Sequence, residues 1–149
     1  MPIVDDGEID FECIELLFFA YRDFVSDPDA ILEKLDFGRA HHRVLYFVGR
    51  QPGMTVADLL DMLQITKQSL ARVLKQLIDS GYVRQIAGPE DRRQRRLYPT
   101  LSGRELSLAL SQPQSRRIAR ALDGLSEEGR DGVKQFLRGM RDANPIGTK

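Results

Sequence analysis

Apolar residues recur at helical spacing from near the start of the chain: Ile14, Leu17, Phe18, Tyr21 and Val25 form one series, and Ile9, Cys13, Leu16, Ala20 and Phe24 a second. One helix therefore carries two apolar faces. A chain of 149 residues can hardly bury both by itself, so a second subunit is the expected cover. Ser26, Asp27, Pro28 and Asp29 break the helix, a further apolar series follows at Ala40, Val44, Phe47 and Val48, and Gln51, Pro52 and Gly53 end it.

The pattern becomes more specific at Thr55. Thr55 and Asp58 have capping-box spacing ahead of Val56, Leu59, Leu60 and Leu63, which predicts a helix of about two turns. Thr66 then stands where it can cap a second helix with the stripe Leu70, Val73, Leu74, Leu77 and Ile78, ended by Gly81. Two helices joined by so short a turn form a helix-turn-helix. Off the second stripe lie Lys67, Gln68, Ser69, Ala71, Arg72 and Lys75, with no acid before Asp79. A helix entering the major groove needs such long donors, and small residues that allow close approach.

Tyr82 to Ile86 are β-prone, Gly88 and Pro89 mark a turn, and Leu97, Tyr98 and Pro99 supply a returning arm, with Tyr98-Pro99 making its end irregular. Between the arms, Glu90-Asp91-Arg92-Arg93-Gln94-Arg95-Arg96 reads as an exposed, largely cationic loop. An arginine at such a tip can enter a narrow minor groove, where negative potential is concentrated; Arg93 is the favoured residue, with Asp91 as its support across the bend. Past Gly103 helix resumes through Leu106, Ala109 and Leu110, Pro113 should kink or interrupt it, and Ile118, Leu122 and Leu125 continue the series. Ser126 is placed to cap a last helix with Val133, Phe136, Leu137 and Met140 on its stripe.

The stretches Thr55 to Leu60, Thr66 to Leu77, Asp91-Arg92-Arg93 and Arg96 to Gly103 resemble the multiple-antibiotic-resistance regulators, the MarR family, most closely between Phe37 and Gly103. The resemblance implies a mainly α fold with a small β-hairpin wing: a winged helix-turn-helix DNA-binding domain over 37–103, an N-terminal dimerisation helix and linker over 1–36, and C-terminal dimerisation helices over 104–149. It implies that Gln68, Ser69 and Arg72 contact bases or nearby phosphates, that Lys67 and Lys75 contact phosphates, and that Arg93 anchors the wing. Thr66, Arg92 and Arg95 complete the set of candidate DNA-binding residues, with Asp91 as wing support. The partners implied are double-stranded DNA at a palindromic operator, a second copy of the chain and a small aromatic effector, with repression as the mode of control and no cofactor.

Composition bears on this mainly through charge. The chain is formally neutral, but its first 36 residues hold eleven acids against Arg22 and Lys34, whereas Lys67 to Arg96 hold eight bases against three acids. A basic surface aimed at phosphates and an acidic region turned elsewhere are expected. Apolar content of 42% and charged content of 30% fit a folded globular chain, and with no long apolar run or basic leader the expectation is a cytoplasmic protein without a membrane partner. The single cysteine excludes an internal disulfide, and the adjacent His41 and His42 point about 100° apart on a helix, which is poor geometry for a shared metal.

Cys13, His41 and His42 are the candidate ligand or sensor positions. The plain readings are a small buried hydrophobe for Cys13 and structural roles for the histidines at the join between the dimer region and the reading domain. Peroxide-sensing members of the family use a cysteine in the first helix, about half a turn from Cys13. Alternatives to a DNA-binding regulator are thus a redox-sensing regulator using Cys13 and a winged-helix module that binds protein alone. An enzyme ranks last, since no nucleophile, carboxylate pair or phosphate-cradling loop has catalytic spacing.

Overall fold

The computed structural model describes residues 6–142. After a 3₁₀ turn at Asp6–Glu8, helix α1 (Phe11–Ser26) starts at an Asp10 cap whose carboxylate accepts from the Cys13 N–H at 2.9 Å. Helix α2 (Asp29–Lys34) follows at once, then α3 (Arg39–Arg50). The short α2 departs from the expectation of a plain break after Ser26. Its six residues are too few to show a helical period, and it is held by burial of Leu32 in the core.

Strand β1 (Met54–Thr55) leads directly into α4 (Val56–Leu63). The Thr55 and Asp58 capping box is formed in both directions: Thr55 Oγ1 accepts from the Asp58 N–H at 3.0 Å, and Asp58 Oδ2 accepts from the Thr55 N–H at 3.2 Å. Gln64 ends α4 in the left-handed region, φ 55°, where its side-chain amide donates to the Asp61 carbonyl at 2.5 Å. Helix α5 (Lys67–Asp79) then begins at Thr66, whose Oγ1 accepts from the Ser69 N–H at 3.1 Å.

The wing is built from β2 (Val83–Ala87) and β3 (Arg95–Pro99), antiparallel from Val83↔Pro99 to Ala87↔Arg95. Two expectations are corrected here. Arg95 and Arg96, read as loop residues, belong to β3, so the loop proper is shorter. A third strand, β1, pairs with β3 at Met54↔Leu97 and Thr55↔Arg96, giving the order β1-β3-β2. Two residues next to a helix cap carry no detectable alternation, which is why β1 was invisible in the sequence. Pro99 closes β3 and Thr100 caps α6 (Leu101–Leu122).

Helix α6 begins at Leu101, ahead of Gly103, and runs unbroken past Pro113, so the predicted interruption does not occur. Proline removes one backbone donor without having to end a helix when neighbouring packing holds the turn. The boundary expected at 103/104 consequently falls inside a continuous helix. Last comes α7 (Glu127–Met140), whose Ser126 Oγ accepts from the Gly129 N–H at 3.1 Å, as the capping pattern predicted.

The core lies where α3 meets α5, α6 and β3. Val44, Leu45 and Val48 of α3, Leu70, Val73 and Leu77 of α5, and Leu97 of β3 are all at most 1% exposed. Each such side chain contributes roughly 1.5–3 kcal/mol by leaving water, so this junction holds α5 against the rest of the molecule. By contrast, α1 and α7 bury no residue in the single chain, and Phe18, Phe19, Tyr21, Phe136 and Leu137 stand exposed.

Candidate nucleic-acid interface

Helix α5 turns its apolar stripe inward and leaves Thr66, Lys67, Gln68, Arg72 and Lys75 exposed, with Ser69 half-buried. Its first turn holds no acid, so the partial positive charge at its N-terminus is unopposed. Thr66 Oγ1 caps the helix and also donates to Ser69 Oγ at 3.0 Å, leaving the Ser69 hydroxyl proton free to reach outward. Lys75 is turned back along the helix to Asp79, Nζ to Oδ2 2.8 Å, and this contact raises its pKa through the hydrogen bond first and the charge second. Of the two lysines expected to contact phosphate, Lys67 has no ion-pair partner among the described residues, whereas Lys75 would have to leave one.

In the wing, Asp91 Oδ1 accepts from the Arg93 N–H at 3.0 Å, and the same oxygen lies 3.5 Å from Arg93 Nε. Asp91 therefore meets Arg93 twice, through backbone and side chain, while the Arg93 side chain stays 94% exposed. Arg92 and Arg95 are exposed as well. Arg96 is committed elsewhere: Nη1 donates to the Gly53 carbonyl at 3.0 Å and Nη2 to Gln94 Oε1 at 3.1 Å, tying the wing to the turn before β1.

The candidate sensor positions separate. Cys13 is exposed on α1 of the single chain instead of buried, and Asp10 pushes its thiol above the ordinary value, by hydrogen bonding and then by charge. A raised value disfavours the thiolate that peroxide chemistry requires. His41 and His42 are both buried, at 5% and 8% exposure. His42 borders a cavity of about 720 Å³ between α1, α3 and α6, while His41 faces α5. Burial, and secondarily the Arg43 charge, lowers the His42 pKa and keeps the ring neutral.

Around that cavity stand Tyr21 and Phe24 from α1, Arg39, Arg43 and Tyr46 from α3, and Gln114 from α6. None but His42 was singled out from the sequence, because residues so far apart in the chain show no joint pattern until α1 and α6 are set beside α3. Arg39 is paired with Asp29 at 2.9 Å, and Arg43 has no ion-pair partner among the described residues. Among the described residues no His, Cys, Asp or Glu cluster could hold a metal ion, and no helix is long and apolar enough to cross a membrane.

A helix-turn-helix followed by a stranded wing, with donors on the outer face of its second helix, defines a winged helix-turn-helix protein. Comparison with known proteins agrees: the model of the MarR family matches residues 35–94. The HTH-type transcriptional regulator PetP of Rhodobacter capsulatus is 46% identical over 129 residues, spanning 87% of this chain and 78% of PetP. The exopolysaccharide II synthesis transcriptional activator ExpG of Rhizobium meliloti is 33% identical over 118 residues, spanning 73% of this chain and 60% of ExpG. Two solved structures share the fold. A MarR transcriptional regulator from Methanosarcina mazei has a TM-score of 0.71 at 24% identity, covering 89% of each chain. A cysteine-to-serine variant of MarR from Escherichia coli, solved with operator DNA, has a TM-score of 0.67 at 19% identity, covering 89% of this chain and 95% of that one. The chain belongs to the MarR family and is a transcriptional regulator rather than an enzyme.

Proposed function

We propose that this regulator acts in the cytoplasm as a homodimer that binds a palindromic duplex operator and represses until a small aromatic ligand releases it. The observation that carries the reading is the common exposure of Lys67, Gln68 and Arg72 on α5 and of Arg92, Arg93 and Arg95 on the wing, in a stretch where eight bases outnumber three acids. Inserted in the major groove, α5 offers Gln68 and Arg72 to base edges, with Thr66, Lys67, Ser69 and Lys75 at its margin and Arg93 in the adjacent minor groove. That the Escherichia coli relative was solved with operator DNA supports duplex DNA as the partner. Open apolar faces on α1 and α7 support the dimer, and twofold symmetry would set the reading helices about 34 Å, or ~10 bp, apart. The cavity supports the ligand: its wall combines Tyr21, Phe24 and Tyr46 with Arg43, which has no ion-pair partner among the described residues, and this suits a flat ring bearing a negative group.

Selection of bound fragments from random duplex DNA tests the reading, followed by titration of the winning site across a range of salt. An inverted repeat with half-sites ~10 bp apart, and affinity falling steeply with salt, is the expected result. Binding to no duplex even in dilute buffer would sink it and leave the protein-binding alternative.

A further inference from the structure

We infer that His41 is a positioning residue: a clamp from α3 that sets the rotation of the reading helix through Gln76, and thereby where Arg72 points. This rests on the DNA-binding reading above for its consequence, though not for its geometry. His41 Nδ1 accepts from the Gly38 N–H at 3.0 Å, which caps α3 and leaves the ring hydrogen on Nε2. Nε2 lies 2.5 Å from Gln76 Oε1, so the histidine donates and the amide oxygen accepts, across 35 residues of chain. One ring thus satisfies two partners, and its tautomer is dictated by the first of them.

The ring cannot easily swing away. Phe37 stacks on it at 4.5 Å between centroids and 7° between planes, and Phe37 in turn meets Tyr82 edge-on at 5.8 Å. The Tyr82 N–H donates to the Leu77 carbonyl at 2.9 Å, so this aromatic stack also ends on the C-terminal turn of α5. Gln76 lies one turn beyond Arg72 on α5, the spacing at which side chains share a face. A roll of α5 about its axis would stretch the Nε2–Oε1 contact and, in the DNA-bound arrangement proposed above, carry Arg72 away from its base. On the same turn of α3, His42 and Arg43 border the cavity, so the clamp is anchored in the cavity wall. Apolar packing alone leaves a helix able to roll by a fraction of a side-chain width; a directed hydrogen bond from a buried, stacked ring does not.

The test uses two variants of the full chain. His41→Gln keeps a side-chain acceptor for the Gly38 N–H but cannot span to Gln76, and Gln76→Met, at an exposed position, removes the acceptor alone. Each should lower affinity for the selected site about fivefold while changing random-duplex binding less than twofold, and the double variant should lose no more than either single one. Equal losses on both DNAs, additive losses or no loss would overturn the clamp. Nitrogen-resolved NMR of the ring in the free protein decides the geometry separately. An Nε2–H signal slow to exchange, and lost or shifted in Gln76→Met, is expected. A hydrogen on Nδ1, or an Nε2–H signal unmoved by Gln76→Met, would end the proposal whatever the DNA titrations give. If no duplex is selected by the wild-type chain the DNA-binding reading fails, and the ring signal still decides whether His41 holds α5.

Discussion

At the scale of single residues, Arg93 and Gly103 show two opposite ways in which one side chain matters. Among the described residues Arg93 has Asp91 as its ion-pair partner, and its side chain is 94% exposed, so its removal should leave the fold intact. Arg93→Ala should weaken binding to every duplex, most where the minor groove is narrow, and reduce the slope of log affinity against log salt by about one per subunit, or about two for the proposed dimer. Unchanged affinity at fixed salt would remove the wing assignment. Gly103 is buried at the start of α6, against the Tyr82 carbonyl, which also accepts from the Thr100 N–H at 3.1 Å. A Cβ there would overlap that carbonyl oxygen, so Gly103→Ala should cost about 1–3 kcal/mol in urea unfolding by forcing α6 off the wing base. Loss of less than half a kcal/mol would mean the helix shifts freely.

Among the elements, the brace between α1 and α6 is the most exposed to pH. The Arg117 guanidinium grips Asp27 through two contacts, Nε to Oδ2 2.7 Å and Nη2 to Oδ1 2.9 Å, and Gln114 donates to the Phe24 carbonyl beside it. That hydrogen bonding to Arg117 holds the Asp27 carboxyl below the ordinary carboxylate range. A depressed folded value means the stabilisation is fully present above the unfolded carboxylate pKa and lost as pH falls through the folded one. Asp27→Asn should therefore lower Tm at neutral pH, and the gap to wild type should close on acidification below the carboxylate range. A gap independent of pH would assign the loss to packing instead.

What the sequence revealed of these elements follows from how local each determinant is. The caps at Thr55, Thr66 and Ser126 were legible because donor and acceptor lie three residues apart, and the stripes of α1, α5 and α7 because they run for several turns. The two-residue β1, the six-residue α2 and the unbroken passage through Pro113 were not, since each depends on neighbours distant in sequence. The exposed cationic positions of α5 and the wing could be read directly. The cavity wall, the Asp27–Arg117 brace and the His41–Gln76 contact could not, because each joins residues that only the folded chain brings together.

For the whole molecule, the dominant fact is that apolar surface and charge are segregated. Phe18 on α1 and Phe136 on α7 are 62% and 50% exposed in the single chain, within a larger apolar surface of a kind soluble monomers rarely leave open. Phe136→Asp, combined with Phe18→Asp, should convert a twofold assembly to single chains in sedimentation at micromolar concentration while preserving the helical circular dichroism of the reading domain. A wild-type chain that sediments singly at that concentration would refute the dimer. The loss of twofold binding should also weaken operator affinity far more than random-duplex affinity, because only the operator rewards two reading helices at once.

Helix α6 joins these regions, meeting the base of the wing at Gly103 and bracing α1 at Gln114 and Arg117. Its 22 residues form an uninterrupted strut of about 33 Å at 1.5 Å per residue. Such a strut works as a lever: a tilt of about 5° at one end sweeps the other through about 3 Å, half the ~6 Å width of a minor groove. In the proposed dimer, small adjustments where the subunits meet would thereby be magnified into misfit at the arginine tips, without any part of the reading domain having to unfold.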